Sequence, residues 1–528
     1  MESAEEIKTK YLGKSLEQLI EKISLLEQKN AYLNDENTSL RHLLYGSKKE
    51  KLAADPPGIK PLFNEVEVIS DITDEPGTDD SQNDSDPNQK KKKKKRNRGK
   101  RKPLPANLPR VRQEFDLEDD EKTCKEHGVA LERIGEAVTE KMDIIPAKIQ
   151  VIEQVTFTYK CPCCTGNFVK SKKDPEAIPK SMASPGLLAY LVTSKYQDAL
   201  PLYRLSSIFD RFGIDLDRTT MARWIIKLSK LVQPLINLMH DDTFDRPMVH
   251  VDETVIQVLK EPNKRAESKS FIWAMASEDE KPIVLFYYHD NRSSKAAYDL
   301  LGGYTGYVVA DGYKVYDKLE RQEGLILTAC LAHVRRKFWT AEKFAKKSAK
   351  KGTKILASEA LSYIRRLYAI EKNLKGKPPD EKKEIRQEKA KPILEELLSW
   401  LKEKENAVLP KSLTGKAISY ALNQWEKLIR YCDEGFLPID NNYIESRIKA
   451  FVVGRKNWMF SDTPSGAHAS ASLYSLVESA KANGIQPFDY LNLIFKELPK
   501  IDDINEYEKL LPHKVSQHFE LKAYSPKK

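Results

Sequence analysis

Three acidic residues stand where metal-assisted chemistry would want them: Asp252 inside the apolar run MVHVDETVIQVL, Asp311 directly after YVV in YVVADGY, and Glu445 in DNNYIESRIKAF. The first two lie on strand-like stretches and the third on a helix-like one. Brought together, such a trio is an all-oxygen site for a pair of hard divalent cations, Mg2+ or Mn2+, which is what in-line attack on a phosphodiester needs. Carboxylates this close repel by roughly 4 kcal/mol per pair at about 4 Å and an effective dielectric of about 20, so the site is expected to be poorly organised without cations. Taken alone, each acid reads as an ordinary surface carboxylate. The apolar strand before each Asp and the helix flank under Glu445 argue against that.

The elements that must position them follow from the pattern. MVHVDETVIQVL, SFIWAMAS and PIVLFYYH read as three strands able to form a meander; a helix near Ser293 to Leu301, the strand GYVVA, a short helix and the strand LILTACLA come next. This alternation predicts a ribonuclease-H-like mixed sheet in which the first and fourth strands are neighbours, so that Asp252 and Asp311 meet at the sheet edge where ligands bind. Ile444, Ile448, Phe451 and Val452 share one helical face, and Glu445 lies about 100° from Ile444, on its flank. Arg447, Lys449, Arg455 and Lys456 follow on that helix or just after it and suit phosphates of a bound strand. Trp458 and Phe460 suit either stacking on an unpaired base or core packing, and Asn441 and Asn442 read as caps of the same helix.

The remaining chain reads as accessory modules. At 528 residues it exceeds one core, and the fold class expected is multidomain α+β. Leu12, Leu19, Leu26, Leu33 and Leu40 recur at seven-residue spacing, with Leu16, Ile23, Asn30, Asn37 and Leu44 between the repeats. Residues 1–47 therefore read as a leucine-zipper coiled coil whose two Asn favour a parallel dimer, or else as an amphipathic helix on its own domain. Residues 48–102 form an acidic then basic linker expected to be disordered; its end, Lys90 to Lys102, suits DNA phosphates, a solvated charge run or an address signal. Residues 103–175 hold Cys124-x-x-His127 and Cys161-x-x-Cys164, with Cys163 as a spare thiol, around valine- and isoleucine-rich strands. This is the bite of one structural Zn2+ in a small β module, or of inert small hydrophobes.

Within residues 176–240, LYRLSSIFDRF, the break GIDLD and RTTMARWIIKLSKLV outline a helix-turn-helix-like DNA-binding region with Asp217 as N-cap. Arg218, Thr219, Thr220 and Arg223 lie on its outward second helix, although an ordinary helical pair has the same pattern. The catalytic domain is placed at 241–490 and a C-terminal element at 491–528. The net charge of +10 with a segregated basic run points to a polyanion, nucleic acid above all. No apolar stretch approaches the roughly 20 residues of a membrane span, and MESAEEIKTK lacks a signal peptide's apolar segment, so no membrane partner and a cytoplasmic location are expected. Six cysteines are too few for a disulfide scaffold of this length.

HVDET, VVADGY, CLAHVRRKF (Cys330 to Phe338), DNNYIESRIK and GRKNWMFSDTPSGAHASASLYSLVESAKANG resemble the insertion sequence 66 family of bacterial DDE transposases. The zipper, KPLPANLP, the cysteine module and LPLYRLSSIF match the family's order too, so the resemblance covers nearly the whole chain. It implies Asp252, Asp311 and Glu445 as ligands of two Mg2+ or Mn2+ ions, and Cys330 and His333 as a C-x-x-H element that braces the site or contacts DNA beside Arg335 and Arg336. It also implies an all-helical insertion at about 343–435, double-stranded DNA (element ends and target) as substrate, companion proteins of the same element, and a nucleoid-associated place in a bacterial cytoplasm. One departure stands out: four cysteines are the common pattern where this chain has a Cys-x-x-His pair. A catalytically silent DNA-binding regulator and a nuclease that only hydrolyses are the rival readings.

Overall fold

A computed structural model of the chain describes residues 149–155, 174–348 and 355–524, together with 15, 18, 158–160 and 168–170. The zipper heptads, the charged linker and both pairs of the cysteine module fall outside these residues. The chain divides into two compact units, residues 49–172 and the remainder. In the smaller unit, β1 (Thr158–Lys160) and β2 (Phe168–Lys170) pair antiparallel on either side of the Cys161-to-Cys164 stretch.

The larger unit opens with four helices: α1 (Pro185–Tyr196), α2 (Leu202–Asp210), α3 (Arg218–Leu231) and α4 (Gln233–Phe244). α3 starts where its sequence says, because the Asp217 carboxylate accepts the Thr220 amide at 2.7 Å, satisfying one of the orphan donors of the first turn. Met221, Trp224, Ile225 and Leu228 form its buried face, leaving Arg218, Thr219 and Arg223 exposed and Thr220 half-buried.

A five-stranded sheet follows, in the order β5-β4-β3-β6-β7. Its strands are β3 (Met248–Gln257), β4 (Lys269–Ala276), β5 (Val284–His289), β6 (Tyr307–Ala310) and β7 (Ile326–Ala329). β3, β4 and β5 make an antiparallel meander, while β6 lies parallel to β3 and β7 parallel to β6. Two helices fill the crossovers, α5 (Ser294–Leu301) and α6 (Lys314–Glu323). Neighbouring strand residues point to opposite faces, so Val249 and Val308 join one apolar core while Met248 and Val309 join another. Covered on both faces, these strands read as continuous apolar runs and not as a clean alternation.

The second core is helical: α7 (Leu331–Ser348), α8 (Leu356–Leu374), α9 (Pro379–Ile385), α10 (Lys391–Ala407), α11 (Leu413–Asn423) and α12 (Trp425–Ile429). A π-helical turn at Arg386–Ala390 joins α9 to α10. Arg386, 3 % exposed, holds Glu371 at 2.7 Å and donates to the carbonyls of Tyr431 and Glu434, so its buried charge is paired. The run LILTACLA does not stay extended to its end: the strand stops at Ala329, where pairing with Ala310 ends, and Leu331 begins α7 with its amide on the Ile439 carbonyl.

The chain then forms α13 (Asn442–Trp458), α14 (Pro464–Ala482), α15 (Pro487–Glu497) and α16 (Ile504–Glu508). α14 carries the serines of the C-terminal motif, and they close the free edge of β5. Ser475 Oγ accepts the Phe286 amide at 2.8 Å; Ser479 Oγ accepts the Val284 amide at 2.8 Å and donates to the Val284 carbonyl at 2.9 Å. Small side chains let the helix come close enough, and the hydroxyls replace the strand partner that the edge lacks. Replacing Ser475 or Ser479 by alanine is expected to cost about 1–3 kcal/mol each, with Ser479 the larger, because a buried strand amide is left without an acceptor. Urea unfolding checks this, and unchanged midpoints would refute the edge-closing role.

Candidate active site

Strand register brings the two aspartates level. His250 pairs with Val309 across parallel β3 and β6, and Asp252 and Asp311 each lie two residues further along, on the same face of neighbouring strands. Asp311 leaves the sheet there, its Oδ1 accepting the Tyr313 amide at 3.0 Å, while Asp252 Oδ1 accepts the Glu253 amide at 2.8 Å. Glu445 sits in the first turn of α13, which packs against β3 through Ile444, Ile448 and Phe451. Asp252 feels both of the other charges. It is pushed up from 3.8 to about 7, first by burial and then by the charges of Asp311 and Glu445, with Arg292 and Arg336 opposing.

Glu445 is held from one side. Its Oε2 lies 3.4 Å from Arg336 Nη2 and its Oε1 3.8 Å from His333 Nε2, and Oε1 is buried without a hydrogen-bond donor. An unsatisfied buried carboxylate oxygen beside two further carboxylates is a donor set that suits divalent cations. The Cys330, His333 and Glu445 ligand atoms all lie within 4.8 Å of one another. Burial holds the His333 ring below its ordinary value and pushes the Cys330 thiol up to about 12. Cys330, 1 % exposed, accepts the Asn441 amide on its sulfur at 3.2 Å, so it is shielded from solvent and tied to the approach to α13.

Asn441 differs from its expected role. It occupies the N-cap position, yet its side chain makes no cap; Nδ2 donates to the Val251 carbonyl at 2.9 Å and Oδ1 faces His250 Nδ1 at 2.7 Å. Asn442 does not cap either: its amide donates to Asp440 Oδ1 at 3.1 Å. The reason is burial. Asn441 is 1 % exposed against β3, where the Val251 carbonyl and the His250 ring both need partners. One amide side chain thus ties the strand of Asp252 to the helix of Glu445.

On the other face of β3, the Glu253 side chain is 2 % exposed, ion-paired with Arg292 and bonded to the Tyr316 hydroxyl at 2.8 Å. The Arg292 guanidinium also stacks 3.7 Å over the Tyr313 ring and reaches to 4.0 Å from Asp311 Oδ2. Sequence reasoning missed this group. Glu253 inside an apolar strand was a readable sign, whereas Arg292 lies in a loop with no periodicity.

The basic residues separate into outward and inward sets. Arg218, Arg223, Arg336, Lys449 and Lys456 are exposed. Arg335 is half-buried over the Tyr368 ring at 5.5 Å and Arg447 over Tyr443 at 5.0 Å. Arg455 turns inward, its guanidinium bonded to Thr254 Oγ1 at 3.3 Å and to the Val255 carbonyl, because the free end of β3 offers acceptors there. Trp458 packs on Tyr196 and Tyr474, both at 6.3 Å, so core packing claims it, while Phe460 is 43 % exposed.

Two outcomes follow from this geometry. The raised Asp252 value makes its protonated form a stabilising feature, present in full below about 4 and gone once pH passes about 7. In EDTA, Asp252→Asn is expected to be more stable than the parent at pH 8 by a few kcal/mol, with the difference shrinking steadily as pH falls toward 4. Urea midpoints across that range test it, and a pH-independent difference would contradict the repulsion. Asn441→Ala should cost about 1–3 kcal/mol, and Asn441→Asp at least as much because a carboxylate cannot donate to the Val251 carbonyl. Wild-type unfolding curves for both variants would rule out the clamp.

The sequence profile described as Transposase IS66 family matches residues 180–469, and the IS66 C-terminal element matches 475–513. The zinc-finger binding domain of transposase IS66 matches 121–165, spanning Cys124, His127, Cys161 and Cys164, and "Transposase C of IS166 homeodomain" matches 32–112. Among relatives, the chain is 29% identical over 512 residues to "Uncharacterized protein y4jD" of Sinorhizobium fredii, covering 94% of this chain and 97% of that protein. It is 29% identical over 425 residues to "Uncharacterized protein y4qI" of the same organism, covering 78% and 77%. With more than half of its length matched by one family profile, in a segment where Asp252 feels the charges of Asp311 and Glu445, the chain belongs to the IS66 family of transposases.

Proposed function

We propose that this transposase binds the ends of its insertion sequence, cleaves them to free a 3′-hydroxyl, and joins that hydroxyl to target DNA at one site formed by Asp252, Asp311 and Glu445. The observation that carries the reading is the Asp252 carboxylate, buried and raised to about 7 between two like charges. The strand order β5-β4-β3-β6-β7, with a helical segment between β7 and α13, supports a ribonuclease-H-like core for residues 241–490. Held by the three carboxylates, a pair of Mg2+ or Mn2+ ions supplies positive charge to the attacking and leaving oxygens. His333 and Arg336 keep Glu445 turned toward the aspartates, and Lys449, Lys456 and Arg447 beside it take phosphates of the strand being cut. The broken phosphodiester supplies the energy of the new one, so no further cofactor enters.

The accessory modules divide the remaining work. Arg218 and Arg223 on α3 contact the element end, the cysteine module of residues 103–175 holds one Zn2+, and the zipper of residues 1–47 pairs two copies so that two ends are held together. The protein acts on chromosomal DNA in the cytoplasm, beside companion proteins of its element. Among the described residues no helix is long and apolar enough to cross a membrane.

Asp252→Ala, Asp311→Ala and Glu445→Gln are expected to keep binding to a terminal-repeat duplex while losing Mg2+-dependent nicking and joining. A strand-transfer assay reads both steps. Joining at the parental rate by any of the three overturns the assignment, and cleavage without joined product in the parent overturns transposition in favour of hydrolysis.

A further inference from the structure

We infer that Met459 and Phe460 form an apolar tip that holds an unstacked base of the element end, at a fixed distance from the cleavage site. The inference rests on the transposition reading and adds a DNA contact to it. Met459 is 70 % exposed and Phe460 43 % exposed, and neither belongs to the two apolar cores. Met459 adopts φ 67° and ψ −46°, a backbone state that L-residues with side chains rarely take. Two large apolar side chains are thus shown to solvent outside either core, and Met459 does so from a backbone state that carries a conformational cost.

The tip is fixed at both ends. On the helix side Trp458 folds back under Tyr474, which is possible because position 454 is glycine: a Cβ there would collide with the Trp458 ring and the Tyr474 hydroxyl. On the far side Ser461 donates its amide to the Gln257 carbonyl at 2.9 Å and accepts the Leu259 amide at 3.0 Å, and the Lys260 amide bonds Asp462 at 2.9 Å. Arg455 clamps the last turn of α13 to β3 through Thr254 and Val255. The two side chains are therefore presented by a short segment with no slack.

Charge identifies the occupant as nucleic acid and not another protein surface. Asn442, Ser446, Lys449 and Lys456 line the exposed face of α13 at helical spacing, a polar and basic strip running from the Glu445 turn to the tip. The nearest acid on the far side, Asp462, is paired with Lys260 at 2.7 Å. A phosphate backbone lying along this strip meets the carboxylates at one end and an apolar pair at the other, where a base face is the fitting partner. From Glu445 to Met459 the helix rises about 21 Å, or about six base-pair steps of duplex. Wedging of Met and Phe between steps is a known means of unstacking DNA.

The test uses the full chain in EDTA with duplexes that carry the terminal repeat of the element, 2-aminopurine being moved one position at a time. A several-fold fluorescence rise is expected only about five to seven nucleotides from the cleaved phosphate. Met459→Gly/Phe460→Ala should abolish the rise at protein concentrations that still saturate the end, and Phe460→Trp should keep it. Binding without a rise at any position, or a rise that survives the double substitution, overturns this inference and leaves the transposition reading intact. Failure of the parent to bind the end overturns both. A double variant that keeps the rise but loses self-association marks the tip as a contact between copies and overturns the inference too.

Discussion

The structure turns on the burial of one carboxylate, Asp252, within the field of two others, Asp311 and Glu445. A folded chain gains nothing from burying Asp252 in the field of Asp311 and Glu445; the ordinary outcome is separation or protonation, and a value near 7 is the second of these. Much of the surrounding architecture opposes separation. Parallel pairing of β3 with β6 sets the two aspartates level, Asn441 binds the Glu445 helix to β3, and Cys330 holds the residue before that helix. Arg292, near Asp311, and Arg336, near Glu445, offset part of the charge. A carboxylate so placed would gain from any cation that screens its neighbours, which is the behaviour that cation-dependent phosphodiester chemistry uses.

Rigidity of the sheet is the second requirement, and it comes from the end of the chain. Helix α14 lies along β5 with Ser475 and Ser479 substituting for a missing strand, while the Asn483 side chain takes the Pro282 carbonyl at 2.7 Å. A long serine-rich stretch such as ASASLYSLVESAKANG invites a catalytic reading. Its physical role here is to finish a sheet edge, and the small residues are there to permit close approach. The helical segment from α7 to α12 covers the other sheet face through Met248, Val309 and Ala329, so the stretch of β3 that leads to Asp252 is packed on both faces.

Much of this was legible from residues alone, for identifiable reasons. Strands rich in Val, Ile and aromatics announced the sheet, the spacing of Ile444, Ile448 and Phe451 announced the face of α13, and Asp217 announced the start of α3. What pattern cannot carry is a side chain whose partner is remote in sequence. Asn441 looked like a cap because Asn before a helix usually is one; only the fold brings Val251, 190 residues away, to its amide. Arg455 looked like a phosphate ligand because charge on a helix surface usually faces water, yet the open end of β3 captures it. Glu253 and Arg292 were overlooked because a buried ion pair across a crossover leaves no periodic trace. The zipper and the cysteine pairs lie outside the described residues, and for them the heptads and the C-x-x-H and C-x-x-C spacings remain the argument.

The most direct test of the central claim is anomalous scattering from crystals of the full chain soaked in Mn2+. The account predicts peaks between the carboxylates of Asp252, Asp311 and Glu445, touching all three residues and absent in Asp252→Asn. Manganese bound only elsewhere, or held by one of these acids while the others point away from it, would contradict it.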